Sequence, residues 1–437
     1  MNPSLIVRFC VMMFLQFFIW GVWYVPMANF LGGIDIGDNW TDMDFFTPVG
    51  LAYASTGFAA MISPFIVGMV ADRFFPTQVV YGVLHLLGAL FLYLASVSTT
   101  FDAFFPYLLL HLICYMPTLA LANSVLFQSS TNPESDAPPI RTLGTIGWIA
   151  SGILVGGGFL VGGELTWQLP LFLGGPEAPT GENVTSLGAT AWPYTFGVGA
   201  SVLLGLYAFT LPHTPPKLKG QEVSAADVLG LKALSLLKDK SFAIFIACSL
   251  LICIPLSFYF QSANKFLGHC KVPNTEGVMT LGQVSEIVFL FLLPVFFRKL
   301  GVKKMLAIGM LFWVLRYVLF ANSTSETHML IYIGVLFHGI CYDFFFFTGQ
   351  LYVDKRAPDD VRSAAQGFIA FVTLGVGMFI GGLLNGWWNK KQTVEGVLDW
   401  PAVWYFPAIM SAAVLVAFFL AFKEPENAEG GSDEKTA

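Results

Sequence analysis

The sequence predicts an all-α integral membrane protein, with twelve transmembrane helices arranged as two six-helix bundles. Three observations carry that prediction. The 437 residues are 56% hydrophobic and 11% charged, whereas a water-soluble domain has about 25% charged residues. Twelve apolar runs are long enough to cross a bilayer, and at about 20 residues each they leave only termini and short loops. The longest polar stretch lies near the middle and separates six runs from six. The bilayer is therefore the expected surroundings, and the net charge of −6 removes the basic footprint of a nucleic-acid binder.

The runs fall at 5–30, 49–71, 79–98, 103–127, 141–163, 191–212, 242–262, 279–297, 305–322, 329–352, 364–388 and 401–422. The first is too long for a cleaved signal segment and reads as a retained span. These runs divide the chain into an N-terminal bundle (1–212), a central cytoplasmic loop (213–241), a C-terminal bundle (242–422) and a tail (423–437). Fifteen Lys and Arg fall in one set of alternate loops and the tail, against Lys265, Lys271, Lys390 and Lys391 in the other set. That bias puts both termini and the central loop in the cytoplasm. The outer loop 31–48 agrees, with Asp35, Asp38, Asp42 and Asp44 and no basic residue. Short loops and no targeting segment favour a bacterial inner (plasma) membrane.

The halves repeat one another. Asp72-Arg73-Phe74 follows the second run, and a basic stretch from Arg298 to Lys304 follows the eighth. The fifth run has Gly144, Gly147, Gly152 and Gly156, and the eleventh has Gly367, Gly375, Gly377 and Gly381. Matched glycine-rich spans point to a substrate site between the halves; the alternative is that they only let helices pack closely.

Several chemistries are excluded. The six cysteines form no CxxC, so neither a disulfide framework nor a zinc site is expected. There is no GxxxxGK[ST] for ATP and no HExxH. With no nucleophile–base or metal constellation, an enzyme is not expected, nor any cofactor or metal. What fits is a secondary transporter driven by an ion or solute gradient.

Charged residues inside spans are costly, so each is a candidate site. Gln283 and Glu286 are three apart and share a helix face. A carboxylate there suits reversible proton binding, and the amide suits a neutral polar solute. Arg316 and Asp343 lie in consecutive runs and form a possible ion pair, either a structural lock or a proton-coupled switch. His338 and Tyr342 share a face of the tenth run. Arg141, Thr145 and Trp148 line one side of the fifth, although Arg141 also reads as a flanking charge. Ser257, Gln261 and Asn264 line the seventh, and Gln16, Trp20 and Trp23 the first. Aromatic planes with amides, a carboxylate and an Arg suit a flat heterocycle bearing hydroxyls, and equally a sugar or small aromatic glycoside.

Gly68-Met-Val-Ala-Asp72-Arg73-Phe74 resembles the start of the signature loop of the major facilitator superfamily, in which a carboxylate–Arg pair latches the two halves. Phe75-Pro76-Thr77 replaces the Gly and basic pair that usually follow. Further segments are similar to the nucleoside:proton symporters of that superfamily. They include Phe14-Leu-Gln-Phe-Phe-Ile-Trp20-Gly-Val-Trp23, Pro138-Pro-Ile-Arg141-Thr-Leu-Gly-Thr145-Ile-Gly147, Gln283-Val-Ser-Glu286, Leu315-Arg316 and Tyr342-Asp343-Phe-Phe. The resemblance implies the major facilitator fold and proton-driven import of nucleosides, with the proton gradient as energy source.

It also implies a nucleoside site at Arg141, Thr145, Gln283 and Glu286, which match in type. Trp148 stands where the family has Phe, Tyr342 replaces a Phe and His338 replaces a Tyr. Ser257 and Phe260 fall where base-reading amides stand, with Gln261 adjacent. Glu286, with Asp343 and Arg316, is expected to couple protons, and Asp72 with Arg73 to latch the halves. The partners are a nucleoside, protons and lipid, with the carrier acting as a monomer. The nearest rivals are a proton-coupled carrier of a sugar, glycoside or other small metabolite, and a transporter-like nutrient sensor.

Overall fold

The computed structural model describes residues 1–37, 40, 47–71, 73–130, 132–216, 231–358 and 361–424. Asp38, Asp42, Asp44, the latch carboxylate Asp72, much of the central loop and the tail beyond 424 lie outside the described residues. Helix α1 (Pro3–Tyr24) starts at Asn2, whose side chain accepts from the Ser4 N–H at 2.9 Å, a cap that satisfies a free donor of the first turn. Pro26, which cannot donate a backbone hydrogen bond, separates α1 from the short α2 (Met27–Leu31). The run expected as one span over 5–30 is therefore two helices.

The first half continues with α3 (Pro48–Ile66), α4 (Thr77–Ser96), α5 (Phe101–Ser129), α6 (Pro133–Gly156) and α7 (Trp192–Ala208). The second half has α8 (Lys240–His269), α9 (Thr275–Ala321), α10 (His328–Tyr342), α11 (Thr348–Arg356), α12 (Arg362–Ala370), α13 (Met378–Lys391) and α14 (Trp400–Ala421). π-Helical turns at Asp343–Phe347 and Phe371–Gly377 join α10 to α11 and α12 to α13. Among the described residues, 8 helices are long and apolar enough to cross a membrane, with such joined pieces taken as one.

The basic stretch Arg298–Lys304 spans the junction of two helical stretches within α9, which meet at one non-helical residue, Gly301 (φ 68°, ψ 178°). Helix α10 meets Gly282, Ser285 and Phe289 through His338, Gly339 and Phe344, but meets Gly309 and Phe320 through Phe345 and Gly334. The order inverts, so the chain reverses at Gly301, where a left-handed φ favours glycine. The N–H groups of Val302 and Lys303, freed by the break, donate to the Glu424 carboxylate at 2.9 and 3.4 Å.

The fifth span, expected over 141–163, starts earlier and stops at Gly156. The run Gly156-Gly157-Gly158 ends the helix, since glycine is a poor helix former. Strand β1 (Gly158–Val161) then pairs antiparallel with β2 (Glu164–Trp167) and β3 (Val184–Ser186). Gly162 and Gly163, both at positive φ, make the tight turn between β1 and β2. A small hairpin, β4 (Thr393–Val394) with β5 (Val397–Leu398), follows α13. The expected all-α class holds for the apolar helices, while these connections carry short strands.

Each half has its own apolar core. One runs from Phe9 to Leu211 and the other from Ala233 to Phe422, joined there by Val25, and Trp148 and Phe260 pack against both. Outside the cores, Phe291, Ile409 and Leu420 expose most of their surface, as lipid-facing residues do.

In the first half a polar hub sits inside the core. The Gln16 amide nitrogen donates to Thr118 Oγ1 at 2.8 Å, and its carbonyl accepts from Tyr81 OH at 2.6 Å. His85 Nε2 lies 3.0 Å from the same oxygen, and Tyr115 OH donates to the Gln16 backbone carbonyl at 2.5 Å. Because that oxygen only accepts, Nε2 carries the ring proton. Ser201 of α7 donates to the His85 carbonyl at 2.9 Å, so α7 joins, through α4, the set of α1, α4 and α5 that Gln16 ties together.

Candidate functional site

The site is assembled where α9 and α10 come close. Gly282, Ser285 and Gly339 are small, and Gly339 faces the Ser285 backbone so closely that an added Cβ would meet it at 2.5 Å. The Gly339 N–H donates to Ser285 Oγ at 2.9 Å, and Ser285 donates in turn to the Gly282 carbonyl at 2.7 Å. Small residues let helix backbones approach in this way. The approach sets the Gln283–Glu286 face beside the His338–Tyr342 face. The Gln283 amide donates to His338 Nε2 at 3.4 Å, and Glu286 Oε2 is 3.8 Å from the same nitrogen.

His338 is sandwiched between two rings. Its centroid is 5.4 Å from Tyr259 and 5.3 Å from Tyr342, with planes inclined by 24° and 26°. Phe346 continues the row 4.8 Å beyond Tyr342. Arg316 lies over the Tyr259 ring, 4.4 Å from its centroid, a cation–π contact worth about 2 kcal/mol when desolvated.

Across the cleft, α6 supplies Trp148. Gly21 of α1 makes room for it, as an added Cβ would meet the indole at 3.0 Å, and Trp20 packs edge-on at 5.5 Å. Val25, Trp148, Gly152, Tyr259, Phe260, Glu276, Met279, Thr280 and Gln283 line a narrow, nearly closed cleft between the halves. Arg141 is exposed. Thr145, one turn from Trp148 on the same face, is half-buried.

Other predicted residues fall differently. Arg316 and Asp343 do not form the expected ion pair. The Arg316 Nε donates to the Gly334 carbonyl at 3.1 Å, whereas Asp343 begins the π-helical turn after α10, near the level where Phe345 meets Gly309. The two charges sit at different depths, because α10 runs antiparallel to the second stretch of α9. Asp343 is buried with Oδ2 unpartnered, and Glu286 acts on it electrostatically. Gln261 is buried with neither amide atom hydrogen-bonded. It is not among the cleft-lining residues, while its neighbours Tyr259 and Phe260 are.

The glycines serve close packing. Gly144 and Gly147 meet Phe17 and Phe14 of α1, whereas Gly152 and Gly156 meet Glu276, Gly277 and Thr280 of the other half. Tyr259 also lines the cleft, outside the stripe Ser257–Gln261–Asn264; its signal is an aromatic one turn after Pro255, which lies inside α8.

A family model described as nucleoside H+ symporter matches residues 3–169 and 180–427. Over 427 residues the chain is 40% identical to the putative nucleoside transporter YegT of Escherichia coli, covering 95% of this chain and 93% of that protein. It is 30% identical over 429 residues to the nucleoside permease NupG of Escherichia coli, with 94% of each covered. The crystal structure of nucleoside transporter NupG superimposes with a TM-score of 0.78 at 29% identity, over 97% of this chain and 100% of that one. A D-xylose–proton symporter shares the fold alone, with a TM-score of 0.70 at 11% identity over 96% and 99% of the two chains. These relatives are transporters rather than enzymes, and the fold is that of major facilitator carriers. With nearly its whole length matched, the chain belongs to the nucleoside H+ symporter family.

Proposed function

We propose that this chain imports nucleosides with protons across a bacterial inner membrane by rocking two six-helix bundles about the cleft between them. The observation that carries the reading is the cleft itself, lined by Trp148 from one half and by Tyr259 and Gln283 from the other, with His338, Glu286 and Tyr342 clustered beside Gln283. A base stacks on Trp148 and the Tyr259–His338–Tyr342 row, Gln283 and Glu286 bond the ribose hydroxyls, and Arg141 and Thr145 close the site from the opposite half. Gln261, whose amide is free, reads the base edge once the cleft opens. The proton resides on Glu286 and passes to Asp343, within electrostatic reach of it. Arg316 acts on this set through Tyr259 rather than by pairing with Asp343.

Twelve spans follow when α9 is counted as two at Gly301 and α3, α6 and α7 join the long apolar helices. Both termini lie in the cytoplasm, where Asp72 and Arg73 latch the halves, and the carrier works as a monomer. The test is uptake of labelled uridine and adenosine into proteoliposomes under an inward proton gradient, with and without a protonophore. Concentrative uptake that collapses with the protonophore is expected. Uptake that ignores the gradient would remove the coupling, and no uptake of either compound by folded protein would redirect the cargo to a sugar or glycoside.

A further inference from the structure

The two halves are sealed together at the end of the cleft that bears the strands. Asn29 Nδ2 donates to Asn264 Oδ1 at 2.5 Å, Asn274 Nδ2 donates to the Gly156 carbonyl at 2.6 Å, and the Leu171 N–H donates to Asn274 Oδ1 at 3.3 Å. Inside this seal is a carboxylate that the mechanism above leaves unused. Glu276 is 4% exposed, and its Oε1 has no hydrogen-bond partner. Its other oxygen accepts from Thr275 Oγ1 at 3.0 Å.

The groups packed around it are not charged. Gly188 of the first half lies against the carboxyl, with Pro26 beside Gly188, Gly152 faces the Glu276 backbone carbonyl, and Asn264 is the side chain contributed by α8. Tyr259 is the titratable group that shares its cleft, while Lys265, His269 and Lys271 are exposed nearby. A buried, half-bonded carboxylate without a counter-charge is tolerated when it carries a proton.

We propose that Glu276 is a second proton-binding site, whose protonation from outside closes the outer seal. When the halves part at this end, the carboxylate meets external water and ionises. Re-sealing requires it to take up a proton before Gly188 and Asn264 close over it. The sign follows directly: lower external pH favours the closed seal, and higher pH favours the open one. Closing of the outer seal, which opening toward the cytoplasm requires, is thereby coupled to the acidic side of the membrane, separately from Glu286.

This inference rests on the alternating-access reading, but its test needs neither nucleoside nor flux, so the two fail separately. Thr280→Cys places a thiol in the cleft behind the seal, at a position 3% exposed. Right-side-out proteoliposomes of the full chain are treated with an impermeant maleimide. Mass spectrometry then measures labelling at position 280, normalised to Lys271→Cys at an exposed position. Labelling should rise roughly tenfold from about pH 5.5 to pH 7.5, the response of one titrating group.

Adding Glu276→Gln, which mimics the protonated form, should leave labelling low at every pH, and Glu276→Asp should restore the rise. A persistent rise with Glu276→Gln, or high labelling at every pH, would overturn the proposal; the latter would make Glu276 a structural seal only. An unchanged thermal unfolding midpoint of the Gln variant shows that the protein is folded when its labelling is read.

Discussion

At Glu286 one side chain is asked to touch the solute and hold a proton, and the two duties separate by experiment. Glu286→Gln keeps a hydrogen-bonding group of the same shape but cannot ionise. The expected outcome is loss of proton-driven accumulation, while exchange of labelled for unlabelled uridine across vesicles without a gradient persists. Trp148 has a simpler part. Base–aromatic stacking contributes about 1–3 kcal/mol, so Trp148→Ala should weaken uridine binding by roughly 5- to 150-fold in calorimetric titration. Gln261→Leu removes an amide that makes no bond in the closed cleft, so thermal stability should hold or rise. The uridine-to-adenosine uptake ratio should shift, and an unchanged ratio would exclude Gln261 from base reading.

At the scale of elements, helix ends outside the membrane carry charges with definable roles. Asp239 caps α8, accepting from the Phe242 N–H at 3.0 Å, and pairs with Arg356 at the end of α11. The Arg356 guanidinium, together with that N–H, holds the Asp239 carboxyl below the usual range. Because its folded-state value is the lower one, the stabilisation is present above the unfolded carboxylate pKa, about 3.9, and is lost as pH falls through the folded value. Asp239→Ala should therefore lower stability by about 1 kcal/mol at neutral pH, as for a lost cap. The gap to the parent in thermal unfolding should shrink below about pH 4.

The same scale shows why some of the site was legible in the sequence. Helical periodicity alone sets Gln283 with Glu286, and His338 with Tyr342, on shared faces. The small residues that bring those faces together also stand in the sequence, although nothing local says which helix they meet. Relative depth is not local either. Arg316 and Asp343 are both costly inside a membrane, yet one bonds Gly334 and the other sits near the level of Gly309, a difference set by the reversal at Gly301. Glu276 is still harder to read. It lies at a helix start, where carboxylates usually face water, and its burial comes from Gly188 and Asn264 across the seal.

For the whole molecule, the decisive surface is the one the halves share. Gly152 sits against Thr280 and the Glu276 carbonyl, a contact between halves rather than within either core. Gly152→Leu should therefore leave each half folded but wedge the outer seal. Uridine binding from outside should survive while exchange across the membrane falls to background, as counterflow measurements would reveal. A variant that exchanged normally would show that this contact does not have to close.

The Gln16 hub bears on how such a carrier bends. Its amide ties α1 to α4 and α5, and His85 passes the tie on to α7. π-Helical turns stand at Val67–Ala71 in the first half and at Asp343–Phe347 and Phe371–Gly377 in the second. In mechanical terms the hub is a rigid joint, and flexing of either half is expected to gather in these turns, where the helical ladder is least regular.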